Sequence, residues 1–387
     1  MSLLIVLAAL AFLMMVAYRG YSVILFAPVA AMGAVLLTDP SLVPPMFTGL
    51  FMDKMVGFLK LYFPVFLLGA VFGKLIEISG FSKSIVAAPI KLVGAERAML
   101  AIVLVCALLT YGGVSLFVVV FAVYPFAAEL FRQNNIPKRL IPGTIALGAF
   151  TFTMDALPGT PQIQNIIPTG FFGTTSWAAP VLGTIGGVFI LIVGMTYLEW
   201  RRRTAQRAGE GYGDPALLIN EPAPFSGGRL ANPLLAVLPL LLVGISNLVF
   251  THLILQGYGP SHEFMPSALG NAVPVVQEVP KLAAIWAVQG ALLVGIGSIL
   301  VLAWKPVATS FAEGSRAAVN GALLASINTA SEYGFGAVIA ALPGFMIVAN
   351  ALGAIPNPLV NQAVTVTALA GITGSASGGL SIALAAM

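Results

Sequence analysis

The chain has 387 residues, of which 59% are hydrophobic and only 8% charged, with a mean hydropathy of +0.99. A soluble domain carries about a quarter charged residues, so composition excludes a soluble globular fold, and the formal net charge of +4 bears on membrane topology rather than on nucleic acid. A single cysteine, Cys106, and two histidines, His252 and His262, leave no internal disulfide and little basis for a haem or metal centre.

In chain order, apolar runs predict membrane helices over 2–18, 21–38, 58–78, 176–199, 233–253, 281–304 and 319–341. The first run has no basic leading segment and no small-residue cleavage site. Its first arginine, Arg19, follows the apolar stretch, so it reads as a retained span entering from outside, not as a signal peptide. Residues 97–131, with "TYGGVSL" at their middle, are too long and too interrupted for one crossing and read as a re-entrant hairpin dipping in from the cytoplasm. Residues 139–173 read as one discontinuous crossing. Within them "FTMDALPGTPQIQN" places Pro158, Gly159 and Pro161 where a membrane helix needs its backbone bonds. This topology puts the 18 basic residues inside, except Lys54, Lys60 and Lys281 outside and Lys74 within a span near its inner end. The polar, Pro/Gly-rich segment 200–232 is then a cytoplasmic linker, and the loop 254–280 lies outside.

The linker divides two stretches that share short patterns in the same order. "GAV" at 69–71, "GF" at 80–81 and "GGVS" at 112–115 recur as "GAV" at 336–338, "GF" at 344–345 and "GGLS" at 378–381. The first copy starts from outside and the second from inside, which makes the repeats inverted. The expected fold is an all-α polytopic membrane protein with inverted structural repeats, re-entrant helical hairpins and a discontinuous transmembrane helix. Residues 1–199 form the first repeat, 200–232 the linker and 233–387 the second repeat. A counterpart of 139–199 would begin beyond Met387, so the second repeat is expected to be incomplete at its C-terminus.

A carboxylate at membrane depth usually marks a proton or ion path, which makes Asp155 a proton-coupling candidate able to load and release a proton near neutral pH; alternatively it caps the helix after the break. Pro158, Gly159, Thr160, Gln162, Gln164 and Asn165 surround that break. Their polar groups, with the free N–H groups of a half-helix after Pro161, suit a carboxylate and its hydroxyls, or else satisfy the broken backbone. Tyr111, Gly112, Gly113 and Ser115 mark the first hairpin tip. "TGSASGGLS", with Ser375, Ser377, Gly378, Gly379 and Ser381, marks the second. Glycines there permit tight turns and close approach, or simply tight helix packing. "SINTASEYG" places Asn328, Ser331 and Glu332 inside a span, with Glu332 a second proton carrier or a structural hydrogen-bonding group. No Gly-rich Lys-Ser/Thr loop is present to support direct ATP drive.

"TYGGVSLFVVV", "FTMDALPGTPQIQN" with "IIPTGFFGTT", and "SGGLSIALAAM" together resemble the gluconate permease (GntP) family, within the ion-transporter superfamily of secondary transporters. The likeness covers nearly the whole chain, and family members usually continue well beyond its end. The resemblance implies a proton-coupled symporter importing a small organic anion, such as gluconate, 3-hydroxybutyrate or a similar hydroxy- or keto-carboxylate. It departs at the break, where Ala156-Leu157-Pro158-Gly159-Thr160-Pro161 carries no histidine, which points to a smaller, less hydroxylated acid. The alternatives are a sodium-coupled carboxylate transporter and the membrane subunit of a binding-protein-dependent one. The expected partners are the anion, protons and the lipid bilayer of the bacterial inner membrane. No cofactor, metal, nucleic acid or enzymatic activity is expected, and homo-oligomerisation stays open.

Overall fold

The computed structural model describes residues 1–85, 97–114, 116–213, 221, 231–264, 274–373 and 376–386. The chain opens with α1 (Ser2–Tyr18) and α2 (Val23–Thr38). A turn of 3-10 and π-helix leads into α3 (Met52–Ile78), so that Pro40–Ile78 is one helical run of 39 residues. The predicted hairpin is α4 (Ala98–Tyr111) and α5 (Leu116–Gln133), and the predicted broken crossing is α6 (Ile141–Ala149), α7 (Phe152–Asp155) and α8 (Ile163–Phe172). Then follow α9 (Pro180–Arg207), α10 (Pro233–Tyr258), α11 (Val279–Leu302), α12 (Trp304–Ala341), α13 (Pro343–Gly353), α14 (Pro358–Thr373) and α15 (Ala376–Ala386).

Local sequence explains many of the helix starts. Proline stands at the first helical position of α9, α10, α13 and α14, where its missing N–H has no intrahelical partner to lose. Asn232 and Asn357 precede two of these prolines, and their side chains accept from Leu234 N at 3.0 Å and Leu359 N at 2.9 Å.

Two findings differ from the sequence expectation. The segment between α10 and α11 carries an antiparallel ribbon of Ser261–Phe264 and Val275–Glu278, in register Ser261 to Glu278. The crossing at 139–173 is interrupted twice, at Phe150–Thr151 as well as over Ala156–Gln162.

The chain forms two compact units that cut across the sequential halves: Met1–Phe66 with Asn320–Met387, and Leu67–Val319. In the first unit, the small residues Ala27, Ala30, Ala31 and Ala34 of α2 share a core with Val6, Leu10 and Leu13 of α1. Small side chains let apolar helices approach closely without a hydrophobic driving force between them. Phe335, Val338 and Ile339 of α12, Phe345, Leu369 and Ile382 complete that core. In the second unit α4 packs on α6, and α10 pairs with α11.

Among the described residues, four helical runs are long and apolar enough to cross a membrane: Pro40–Ile78, α9, α10 and α11. On α9 the side chains of Val181, Ile185, Phe189 and Ile192 are all exposed. A continuous apolar stripe of this length in contact with water would be a severe liability, whereas acyl chains cover it. The protein is therefore all-helical and polytopic in the membrane, apart from the small ribbon between α10 and α11.

Candidate functional site

The first hairpin turns where the sequence placed it. Gly112 N–H bonds back to Leu108 O at 2.9 Å and Gly113 N–H to Thr110 O at 3.0 Å. Gly113 has φ +93°, a left-handed conformation that favours glycine. Side chains have no room at this tip: a Cβ on Gly112 would lie 2.5 Å from Leu240 Cδ2, and one on Gly113 3.2 Å from Leu292 and Pro161. The turn is thus packed against α10, α11 and the break. Tyr111 adds a direct tie, its hydroxyl donating to Pro158 O at 2.8 Å. Ser115 lies outside the described residues.

At the break, side chains take over the role of the lost helical ladder. Thr153 Oγ1 donates to Gly148 O at 2.6 Å, and Thr160 Oγ1 to Thr153 O at 2.7 Å. Asn165 Nδ2 serves the carbonyls of Thr160 and Ser176, both at 2.9 Å. Gln162 Nε2 reaches back to the hairpin, to Thr110 O at 2.7 Å and Val114 O at 3.1 Å. In hydrocarbon each of these backbone groups must find a partner inside the protein. Thr160, Gln162 and Asn165 therefore build the break itself. Gly159, at φ +81°, has its N–H on Ser176 O at 2.8 Å and lies against the Trp177 ring. The close approach of α9 from the other side depends on Gly183, where any side chain would overlap the Ala156 carbonyl.

Sequence reading missed Asn247 on α10. It is fully buried and donates Nδ2 to Gly159 O at 3.0 Å and to Ser176 Oγ at 3.3 Å. Its Oδ1 accepts nothing from the described residues. Three more buried polar atoms around the break share that condition: Thr110 Oγ1, Gln164 Oε1 and Trp177 Nε1. Each such atom left dry costs about 1–3 kcal/mol. Four of them, two able to donate and all but Trp177 able to accept, gather on residues that adjoin or touch Gly159–Gln164. A sequence signal for Asn247 does exist, as the lone amide in the apolar run "PLLAVLPLLLVGISNLVF", but nothing in one dimension connects it to Gly159.

Asp155 is the last residue of α7; the residue reaches the surface, while its carboxylate lies against its own backbone amide and that of Ala156 and is partly desolvated. It does not cap α8, whose N-cap is Gln162.

A second polar group lies in the other compact unit, where Asn328, Ser331 and Glu332 of α12 face α15 and α3. Glu332 is buried, and its Oε1 accepts from Asn328 Nδ2 at 3.2 Å. Thr329 Oγ1 lies 3.4 Å from Ser377 Oγ, Ser381 Oγ donates to Ser377 O at 2.7 Å, and Ser331 Oγ points at Met55 Sδ, 3.9 Å away. Gly378 and Gly379 sit within α15 and not at a hairpin tip, which corrects the sequence expectation. Their lack of side chains admits the Glu332 carboxylate at Gly378 and the α14 backbone at Ala370 beside Gly379. Ser375 falls outside the described residues.

Beyond α9, the described residues Tyr212 and Glu221 are tied by charge and hydrogen bonds to the end of α5 and the turn before α6. Glu221 accepts from Arg132, from Lys138 at 2.7 Å and from the Tyr212 hydroxyl at 2.8 Å. Burial alone would raise the Glu221 carboxyl, but the bonds from Lys138, Arg132 and Tyr212 together outweigh it and hold the group at about 2. Burial, reinforced by Glu221, pushes the Tyr212 phenol up to about 12. Beside it Arg139 grips both oxygens of Glu210 at 2.6 and 2.7 Å, and Asn135 Oδ1 accepts from Tyr212 N at 3.0 Å.

Interrupted helices with self-satisfied backbone, wrapped in lipid-facing spans, define a multi-pass protein of the bacterial inner membrane. The chain is 57% identical over 395 aligned residues to the uncharacterized transporter YxjC of Bacillus subtilis (strain 168), spanning all of this chain and 83% of that one. It belongs to the same transporter family. A solved structure, the YdaH transporter of Alcanivorax borkumensis, is similar with a TM-score of 0.42 and 17% identity, over 91% of this chain and 73% of that one. No protein-family model matches the chain.

Proposed function

We propose that the protein is a secondary transporter of the gluconate permease type, importing a small hydroxy- or keto-carboxylate together with protons. The observation that carries this reading is the set of unsatisfied atoms around the break: Thr110 Oγ1, Gln164 Oε1, Trp177 Nε1 and Asn247 Oδ1. A hydroxy acid presents both kinds of partner, with carboxylate oxygens for the indole N–H and the threonine hydroxyl, and its own hydroxyl for the two amide oxygens. The N-terminus of α8, which has no side-chain cap, adds backbone N–H groups and the positive end of a helix dipole for the anion. A bare sodium ion fits less well, because it would use the oxygens Thr110 Oγ1, Gln164 Oε1 and Asn247 Oδ1 and leave the Trp177 indole N–H without a partner.

Proton coupling rests on the intramembrane carboxylates Glu332 and Asp155. The helix order supports an inverted repeat, with α1, α2, α3 and the α4–α5 hairpin matched by α10, α11, α12 and the α14–α15 hairpin. Each repeat then supplies one broken or hairpin element to alternating access.

The test is uptake of labelled 3-hydroxybutyrate and gluconate into proteoliposomes with an imposed pH gradient, in sodium-free and sodium-containing buffer. Gradient-dependent uptake without sodium is the expected result. Uptake that needs sodium would replace the coupling ion. No uptake of either acid by well-folded protein would reject the substrate class.

A further inference from the structure

The cytoplasmic end of α9 and the first turn of α4 enclose a cavity of about 690 Å³, far from the broken helix in sequence. Four arginines line it, Arg97, Arg202, Arg203 and Arg207, against one carboxylate, Glu199. Glu199 is shared by Arg202, at 2.8 and 2.5 Å, and by Arg203 Nε at 2.9 Å. Arg97 and Arg207 have no ion-pair partner among the described residues. Among the described residues, the cavity therefore keeps an excess of positive charge.

Apart from Thr196 and Thr204, the remaining lining is apolar, with Met99, Leu100, Ile136 and Met195. The α9 wall runs on into the exposed stripe of Ile192 and Phe189, and the exposed Tyr197 and Trp200 mark the boundary between hydrocarbon and headgroups. Arg201 lies over both rings, 6.0 and 5.9 Å from their centroids. A soluble anion would need only the arginines. A cationic mouth above an apolar floor, open to the lipid-facing side of a spanning helix, matches a phosphodiester that carries acyl chains. We propose that this cavity holds the headgroup of an anionic phospholipid of the inner leaflet, with Arg97 and Arg207 neutralising the phosphate and the chains lying along α9. Such a lipid would link the entry of the hairpin to α9, and it is independent of the substrate assigned above.

The test is native mass spectrometry of the detergent-solubilised full chain with phosphatidylglycerol or phosphatidylcholine added. The wild type should retain one phosphatidylglycerol and little phosphatidylcholine. R97Q/R207Q should weaken that retention by about tenfold or more, since each arginine near an anionic headgroup contributes on the order of 1 kcal/mol. R97K/R207K should keep most of it, and the single R97Q and R207Q variants carry the test if the double variant does not fold. Equal retention by R97Q/R207Q, or equal retention of phosphatidylcholine, would overturn the proposal. Displacement of the lipid by millimolar inorganic phosphate would also overturn it, in favour of a free-anion site.

Discussion

Asn247 donates its side-chain amide to the carbonyl of Gly159 across 88 residues of sequence, at 3.0 Å. Because a carbonyl only accepts, the amide cannot flip, and Oδ1 is fixed as an acceptor waiting for a donor. If that donor is the substrate hydroxyl, Asn247 is what distinguishes 3-hydroxybutyrate from butyrate. Asn247→Ala should reduce 3-hydroxybutyrate uptake by roughly tenfold or more and bring the two acids to similar rates. Competition between labelled 3-hydroxybutyrate and unlabelled butyrate measures the ratio. A ratio unchanged from wild type would show that Asn247 supports the break without reading the hydroxyl.

Gly159 is constrained twice, by φ +81° and by the Trp177 ring lying against it. Gly159→Ala should destabilise the folded chain by about 1–3 kcal/mol from backbone strain, with the overlap against Trp177 added to it. Thermal unfolding in detergent would register a clear drop. Pairing the substitution with Trp177→Ala should recover the steric part but not the strain, so full recovery would place the whole cost in the ring contact.

Much of this fold was legible in one dimension. Charge placement distinguished the 97–131 hairpin from a full span, and the observed turn falls at Gly112–Val114. Pro158 and Pro161 located the break within a few residues. The glycines of "GGLS" matched those of "GGVS" in letters, but Gly378 and Gly379 lie within α15 and serve close helix contacts. Roles at the site were harder still. Whether Gln162 binds a ligand or serves the backbone depends on Thr110 and Val114, which reach it only once the hairpin folds back. Asn247 owes its importance to a partner that no sequence pattern ties to it.

Glu221 makes linker docking dependent on pH in a defined window. Its folded-state value, about 2, lies below the ordinary glutamate value of 4.5. The stabilisation it provides is therefore fully present above about pH 4.5 and is lost as pH falls towards 2. Tryptic cleavage within 208–232 should be slow and constant from neutral pH down to about 5, the working range of that argument. Glu221→Gln should accelerate it at neutral pH, because Arg132 and Lys138 lose the charge that holds them. Cleavage rates equal to wild type would mean that Arg139–Glu210 and Tyr212–Asn135 hold the linker without it.

Asp155 and Glu332 divide the question of proton coupling between an exposed and a buried residue. Glu332 is enclosed by Asn328 and by Gly378, where a side chain would overlap its Oε2. A carboxylate so enclosed at membrane depth responds strongly to its protonation state, because desolvating the charged form is expensive. Asp155, at the end of α7, is the more exposed of the two residues. Glu332→Gln keeps the volume and the Asn328 contact but cannot titrate. It should abolish accumulation driven by a pH gradient while leaving exchange of labelled for unlabelled substrate close to wild type. Asp155→Asn should slow gradient-driven uptake without abolishing it. The reverse pattern would transfer the coupling role to Asp155, and intact gradient-driven uptake in both variants would remove side-chain carboxylates from the coupling step. Gly378→Ala gives a steric check on the same contact: it should impair accumulation as Glu332→Gln does, since the added methyl competes for the space of the carboxylate.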